Sequence, residues 1–172
     1  MAAALRMNAG AYGGEMKQIV ESAEVLTSEG EVLNLTNEEL GMGYRTSVIA
    51  KNDYVALSAV LKLEKGDRQE IRAYMEDLKE RRVTKQPLEF GSAGSTFKRP
   101  EGYFAGKLIQ DSGMQGYRVG DAQVSEKHCG FVINRGNATA AEVMQLMKDV
   151  ADRVEEKFGV RLEPEVRRIG EF

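Results

Sequence analysis

Three stretches of this 172-residue sequence group side chains that can bind an anionic ligand. Gly91-Ser92-Ala93-Gly94-Ser95-Thr96-Phe97-Lys98-Arg99-Pro100 places hydroxyls, small residues and a fork-shaped cation on one loop. Backbone N–H groups and a serine can face a ligand there, and Arg99 can grip a phosphate, although a turn with solvated serines would read the same way. Gly43-Tyr44-Arg45-Thr46-Ser47 sets an arginine beside an aromatic after a glycine turn. A planar guanidinium suits an anionic substrate group, while a plain surface arginine is the competing account. Glu163-Pro164-Glu165-Val166-Arg167-Arg168 mixes carboxylates with arginines. As a strand it would turn Glu165 and Arg167 to one face, where a salt bridge between them is the simplest use. Lys79, Arg81, Arg82 and Lys85 either bind phosphate or complete a helix dipole, with Lys85 set apart by its place just before Pro87. His128 is a potential acid-base group and Cys129 a potential nucleophile. A structural histidine and a cysteine packed as a small hydrophobe are the alternatives.

The elements that must position these residues are legible from hydrophobic period and turn chemistry. Residues 1–16 are rich in glycine and alanine and read as a loop needing small side chains. Ile19 to Thr27 and Glu31 to Leu35, separated by Ser28-Glu29-Gly30, predict a β-hairpin. Thr36 and Glu39 have capping-box spacing for a short helical turn ended by glycines 41 and 43. Tyr54 to Leu63, apolar at 55, 57, 59, 61 and 63, predicts a strand. After Gly66-Asp67 the character changes. Asp67 and Glu70 form a cap-like pair, and Ile71, Tyr74, Met75 and Leu78 share a helical face. Val83 to Gln123 reads as irregular apart from a short helix at Ala105 to Ser112, and long irregular segments in compact domains are usually functional. Phe131 to Asn134 predicts a buried strand. Thr139 and Glu142 open a helix over Ala140 to Phe158, closed by Gly159. Val160 to Leu162 and Val166 to Ile169 complete the chain as short strands around Pro164.

This order predicts an α+β fold in two parts divided near Lys65 to Asp67. The first part, three or four strands with little helix, buries a poor core by itself, so upstream chain is expected to complete it. One cysteine excludes an internal disulfide framework and a cysteine-based zinc cluster, and fits a reducing, cytoplasmic setting. With 24 basic against 27 acidic residues there is no basic excess for a nucleic-acid backbone. No apolar run approaches the ~18 residues of a membrane span, and the first residues are too short for a signal sequence. Eighteen glycines, mostly clustered, suggest tight turns or backbone close to a ligand.

The stretches above, taken in order with Met7-Asn8-Ala9-Gly10-Ala11-Tyr12-Gly13-Gly14-Glu15, Ala105-Gly106-Lys107-Leu108-Ile109-Gln110 and Asn137-Ala138-Thr139, closely resemble the UDP-N-acetylenolpyruvoylglucosamine reductase (MurB) family over nearly the whole chain. The short connection from Leu63 to Lys85 resembles the subclass without an extra substrate-covering loop.

The resemblance implies a partial FAD-binding subdomain of the PCMH-like type in residues 1–65 and an α+β substrate-binding domain in 66–172. It implies reduction of UDP-N-acetylglucosamine enolpyruvate to UDP-N-acetylmuramate, with FAD as cofactor and NADPH as hydride donor. On matching positions Ser95 is the proton donor, and Arg45 and Glu165 hold the substrate carboxylate and stabilise the enol. Tyr44, Lys85 and Arg99 contact substrate; Arg99 departs from relatives with asparagine there. Arg82, Arg167 and the backbone of Asn8, Ala9, Gly10, Ala11 and Tyr12 lie near the flavin. No metal, nucleic acid or membrane is implied. The family's N-terminal FAD subdomain, with its pyrophosphate-binding loops, precedes the Met7-to-Glu15 motif and is expected as a further partner. The alternatives are a non-catalytic UDP-sugar-binding module or structural fragment unable to hold FAD, and a flavin-independent enzyme built on His128 or Cys129.

Overall fold

The computed structural model describes residues 1–170 and divides the chain into two compact units, the first ending at Asp67 and the second beginning at Arg68. The mixture of helix and strand is the expected α+β class, and the first unit is richer in strands.

In the first unit, α1 (Ala2–Arg6) leads into β1 (Gly10–Ala11) and β2 (Gly14–Glu15), a small antiparallel hairpin. The sequence reading of a loop over residues 1–16 is corrected here: both elements are too short to show a period. The hairpin closes because Tyr12 and Gly13 both adopt positive φ, +52° and +84°, the backbone twist that two-residue hairpin turns require. Gly10 is favoured for a different reason, the close approach of the facing strand. A Cβ there would sit 3.0 Å from both Glu15 Cβ and the Gly14 carbonyl.

The predicted larger hairpin is present as β3 (Val20–Leu26) and β4 (Val32–Thr36), and β5 (Val55–Leu61) pairs with β3 on the other side, giving the order β4-β3-β5. The strict alternation read for β5 breaks in the middle. Val25 pairs with Ala56 and Glu24 with Ser58, so Leu57 is the extra residue of a bulge. Val55 and Leu57 are thereby turned outward, while Ala59 and Leu61 pack inward. The Thr36–Glu39 capping pair forms, Thr36 N–H donating to Glu39 Oε2 and Glu39 N–H returning to Thr36 Oγ1, around a turn rather than a helix. Leu5, Val20, Val25, Leu40, Met42 and Ile49 are the core of this unit. The Ile49 contribution comes from α2 (Val48–Lys51).

The second unit opens with α3 (Arg68–Lys85), which runs two residues past Val83 into the segment expected to be irregular. Its predicted apolar face exists, but Ile71, Tyr74 and Met75 are about half exposed or more. The remainder of that segment is also more ordered than expected. Around the predicted short helix, α4 (Ala105–Asp111), it supplies β6 (Gly91–Ser95), β7 (Arg118–Val119) and β8 (Ala122–Val124). With β9 (Phe131–Asn134) the strands form an antiparallel sheet in the order β6-β9-β8-β7. β6 is Gly-Ser-Ala-Gly-Ser, without a single β-forming side chain, so it is a strand only because β9 offers it hydrogen bonds.

The helix α5 (Ala140–Phe158) has the bounds that its signals predicted. Thr139 and Glu142 form the reciprocal cap, and Gly159 ends it at φ +66°. Its buried stripe of Leu146, Met147, Val150 and Val154 packs with Ala122, Val124, Val132, Leu108, Ile109 and Leu162, each fully buried large side chain contributing about 1.5–3 kcal/mol of transfer free energy. The expected strands at 160–162 and 166–169 do not form. A single bridge, Phe97 to Pro164, takes their place, because a proline at the centre has no N–H to extend a ladder.

Candidate functional site

In the first unit the candidate residues lie on two turns joined by one side chain. The Gly43 N–H donates to the Thr46 carbonyl at 3.0 Å and the Thr46 N–H returns to the Gly43 carbonyl at 3.2 Å, which leaves Tyr44 and Arg45 at the tip. Arg45 is held at φ +55°, half-buried, with its Nε shielded from solvent and its guanidinium 5.5 Å from the Tyr44 ring. Tyr44 is 58% exposed. Ser47, fully buried, donates from Oγ to the Arg6 carbonyl at 2.7 Å and so ties this turn to the end of α1. Gly10, Ala11 and Tyr12 are exposed on the small hairpin and Ala9 is half-buried. Asn8 is the exception among these candidates. Its side chain is buried and faces the protein's own backbone.

In the second unit the residues that follow β6, Thr96 and Lys98, meet the segment 163–165. Ser95 pairs with Phe131 across the sheet and is exposed. The register slips between Ser92 and Ser95, where Gly94 takes φ +85° and its N–H donates to Ser92 Oγ at 3.1 Å. A side chain at Gly94 would be strained in that conformation, so the kink that turns Ser95 outward depends on the glycine. The next residue, Thr96, is buried. Its N–H donates to the Gly130 carbonyl at 2.8 Å, its Oγ1 accepts the Val132 N–H at 3.0 Å, and its carbonyl accepts the Glu165 N–H at 2.9 Å. Lys98 N–H then donates to the Glu163 carbonyl at 2.8 Å, and Lys98 Nζ pairs with the Glu163 carboxylate at 3.0 Å. Residues 96 and 165, far apart in sequence, are thus opposite each other in one short ladder, with Glu165 half-buried. The salt-bridge reading of Glu165 with Arg167 on one strand face does not apply, since no strand forms there. Arg167 is instead exposed, along a cavity of about 370 Å³ between the start of α5 and the C-terminal segment.

Arg99 lies with its guanidinium 4.0 Å from the centre of the Phe104 ring and its Nε donating to the Tyr103 carbonyl at 3.1 Å. Phe104 is 63% exposed, so the pair presents a cation on an aromatic plate at the surface. Arg82 and Lys85 occupy the exposed last turn of α3. That end is fastened by Lys127, which donates from Nζ to the Val83 carbonyl at 3.0 Å and pairs with Glu89 at 3.7 Å. Lys79 and Arg81 are engaged in exposed pairs with Glu76 and Asp77 on the same helix.

His128 and Cys129 have structural employment. His128 Nδ1 accepts the Gly130 N–H at 3.1 Å, and its ring meets the edge of Phe131 at 5.0 Å. Cys129 is buried, and burial pushes its thiol above the usual range, the reverse of what activates a nucleophile. Thr96, Lys127 and Phe104 were not singled out from sequence. The partners of Thr96 and Lys127 lie tens of residues away, and an exposed phenylalanine has no signature until a cation is found on it.

Residues 86–169 match the family model of the UDP-N-acetylenolpyruvoylglucosamine reductase C-terminal domain. Proteins named UDP-N-acetylenolpyruvoylglucosamine reductase from Lachnoclostridium phytofermentans and Alkaliphilus oremlandii are 61% and 62% identical to it over 98% of this chain, and the chain covers 54% and 55% of them. The crystal structure of UDP-N-acetylenolpyruvylglucosamine reductase (MurB) from Thermus caldophilus is similar in fold, with a TM-score of 0.82 and 37% identity over 96% of this chain and 59% of that one. The chain therefore spans about half the length of the relatives it matches.

Proposed function

Because the chain belongs to the UDP-N-acetylenolpyruvoylglucosamine reductase family, we propose that it carries the residues that bind and protonate substrate in the reduction of UDP-N-acetylglucosamine enolpyruvate to UDP-N-acetylmuramate, a step of peptidoglycan synthesis in the cytoplasm. The observation that supports this most is the ladder joining Thr96 to Glu165 and Lys98 to Glu163, which fixes the half-buried glutamate against the residue that follows the exposed Ser95.

The residues present fit a flat flavin. Between Gly10 and Gly13 the exposed hairpin bears only the side chains of Ala11 and Tyr12, so a ring can lie close to its backbone. Residues Asn8 to Tyr12 would hold it through backbone groups, with Arg82 and Arg167 as further contacts. Bound FAD, reduced by NADPH, would supply the hydride that goes to the β-carbon of the enolpyruvyl ether. The charge left on the α-carbon and carboxylate is enolate-like, and a fixed cation and hydrogen-bonding groups lower its energy. Arg45 is assigned the cation and Glu165 a hydrogen-bonding role toward the enol, as the resemblance implies. Ser95 Oγ then delivers its proton to the α-carbon. A free serine is a very weak acid, so its proton must be relayed or its alkoxide stabilised by neighbouring groups. Tyr44, Lys85 and Arg99 hold the diphosphate and carboxylate region. The N-terminal FAD subdomain of the family is the further partner this chemistry requires for the pyrophosphate.

The test is an absorbance spectrum of the chain after incubation with FAD and desalting, followed by NADPH oxidation with and without the enolpyruvyl substrate. A retained flavin band and substrate-dependent oxidation support an active half-site. Binding of the UDP-sugar without either marks a binding module, the second reading.

A further inference from the structure

Asn8 is 2% exposed, and its carboxamide is fully engaged. Oδ1 accepts the Lys17 N–H at 2.9 Å, while Nδ2 donates to Glu15 Oε2 at 2.9 Å and to the Gly43 carbonyl at 3.2 Å. These neighbours settle the orientation of the amide, since two acceptors face the nitrogen and a backbone donor faces the oxygen. Asn8 itself has φ +45°, a conformation asparagine tolerates better than most residues. The Gly43 carbonyl that it holds also receives the Thr46 N–H, so one oxygen closes the turn from the front and anchors it from behind. A non-glycine residue at positive φ persists only where surrounding structure over-determines it. Arg45, at φ +55° on the tip of that turn, is such a residue.

We infer that Asn8 is a positioning residue for Arg45. Its buried carboxamide pins the Gly43–Thr46 turn to the first hairpin and thereby sets the direction in which the guanidinium meets an anionic group. Asn8 differs in this from Ala9 to Tyr12, because its side chain serves the arginine turn and only its backbone is left for a cofactor. The consequence for chemistry rests on the reading of Arg45 as the group that meets the substrate carboxylate.

Two variants separate the carboxamide from the backbone. Asn8→Gly accepts the positive φ and deletes the side chain. Asn8→Asp keeps an acceptor for the Lys17 N–H but sets a carboxylate against Glu15 and the Gly43 carbonyl. In the 172-residue chain, amide hydrogen exchange at Thr46 should quicken roughly tenfold in both variants, with the Val25 amide in β3 unchanged. Unaltered exchange at Thr46 overturns the inference. Calorimetry then compares UDP-N-acetylglucosamine enolpyruvate with UDP-N-acetylglucosamine, which lacks the carboxylate. Asn8→Gly and Arg45→Lys should each weaken only the first ligand, by roughly tenfold, and the double variant should lose no more than either alone. Additive losses, or equal loss for both ligands, overturn the positioning role. If Arg45→Lys leaves the preference for the enolpyruvyl ligand intact, or the wild-type chain binds neither ligand, it is the reading of Arg45 that fails, and Thr46 exchange decides the clamp by itself.

Discussion

Thr96→Val tests the ladder on which the second unit's site depends. The side chain is 3% exposed and its hydroxyl is the acceptor for the Val132 N–H, itself on a residue 9% exposed at the centre of the sheet. Valine preserves shape and β-branching, so no cavity opens, and what changes is one buried donor left without an acceptor. Such a loss costs about 1–3 kcal/mol, and the environment, between β6 and β9, gives water little access to repair it. Thr96→Ser keeps the acceptor and removes a buried methyl, which costs about 1 kcal/mol by transfer. The two variants can therefore destabilise by similar amounts while differing at one amide. Since two compact units can unfold separately, a single global midpoint is a poor readout. Native-state hydrogen exchange at Val132 is the better assay, with urea unfolding beside it. Val132 exchange should accelerate in Thr96→Val roughly tenfold beyond any change in Thr96→Ser. Equal protection in the two variants would refute the argument that this hydroxyl holds Thr96 in register against β9.

Joined to an FAD-holding upstream half, Ser95→Ala should leave flavin reduction by NADPH nearly unchanged and slow substrate reduction by roughly a hundredfold or more; stopped-flow absorbance separates the two half-reactions, and normal turnover would remove the proton-donor role. Cys129 should resist alkylation by iodoacetamide at pH 8 in the native chain and react on unfolding, because burial both shields the thiol and raises its pKa; ready labelling of the folded protein would contradict the packing described. Asp152 is held below the ordinary carboxylate range by hydrogen bonds from Lys148 and Arg161. Its folded-state pKa is the lower one, so whatever stability the cluster adds is present above about pH 4 and is lost as pH falls through the folded value. Thermal unfolding of wild type and Asp152→Asn should therefore converge at low pH and differ only slightly at pH 7, the groups being exposed; a difference that grows on acidification would reverse the sign assigned here.

The helix α5 and the β3–β4 hairpin were legible because their signals are local. A reciprocal Thr139–Glu142 cap, a stripe at three- and four-residue spacing and a glycine at the left-handed position all lie within one window of sequence. The family resemblance, carried by motifs in order along the chain, is likewise a property of the sequence alone, as are the single cysteine and the balance of charge. Where the reading fell short, a partner distant in sequence decided the outcome. The glycine- and serine-rich β6 is a strand through β9, and the alternation of β5 is broken at Leu57 by its register against β3. The expected C-terminal strands reduce to one bridge at Pro164, and the helical face at Ile71 and Met75 is exposed.

The same division runs through the candidate site. Residue types were readable: a serine in a kinked glycine loop, an arginine after a glycine turn, a glutamate beside a proline. Their relation was not, because Thr96 joins its three partners through hydrogen bonds spanning tens of residues, and Asn8 reaches Gly43 across thirty-five. Hydrophobic period and capping act over a few residues and are written into local sequence, so the sequence by itself determined which helix and hairpin form and which side chains are available for chemistry. Only the tertiary structure decided which of those side chains are held side by side, because buried donors and acceptors take whichever partner the packed core brings within reach.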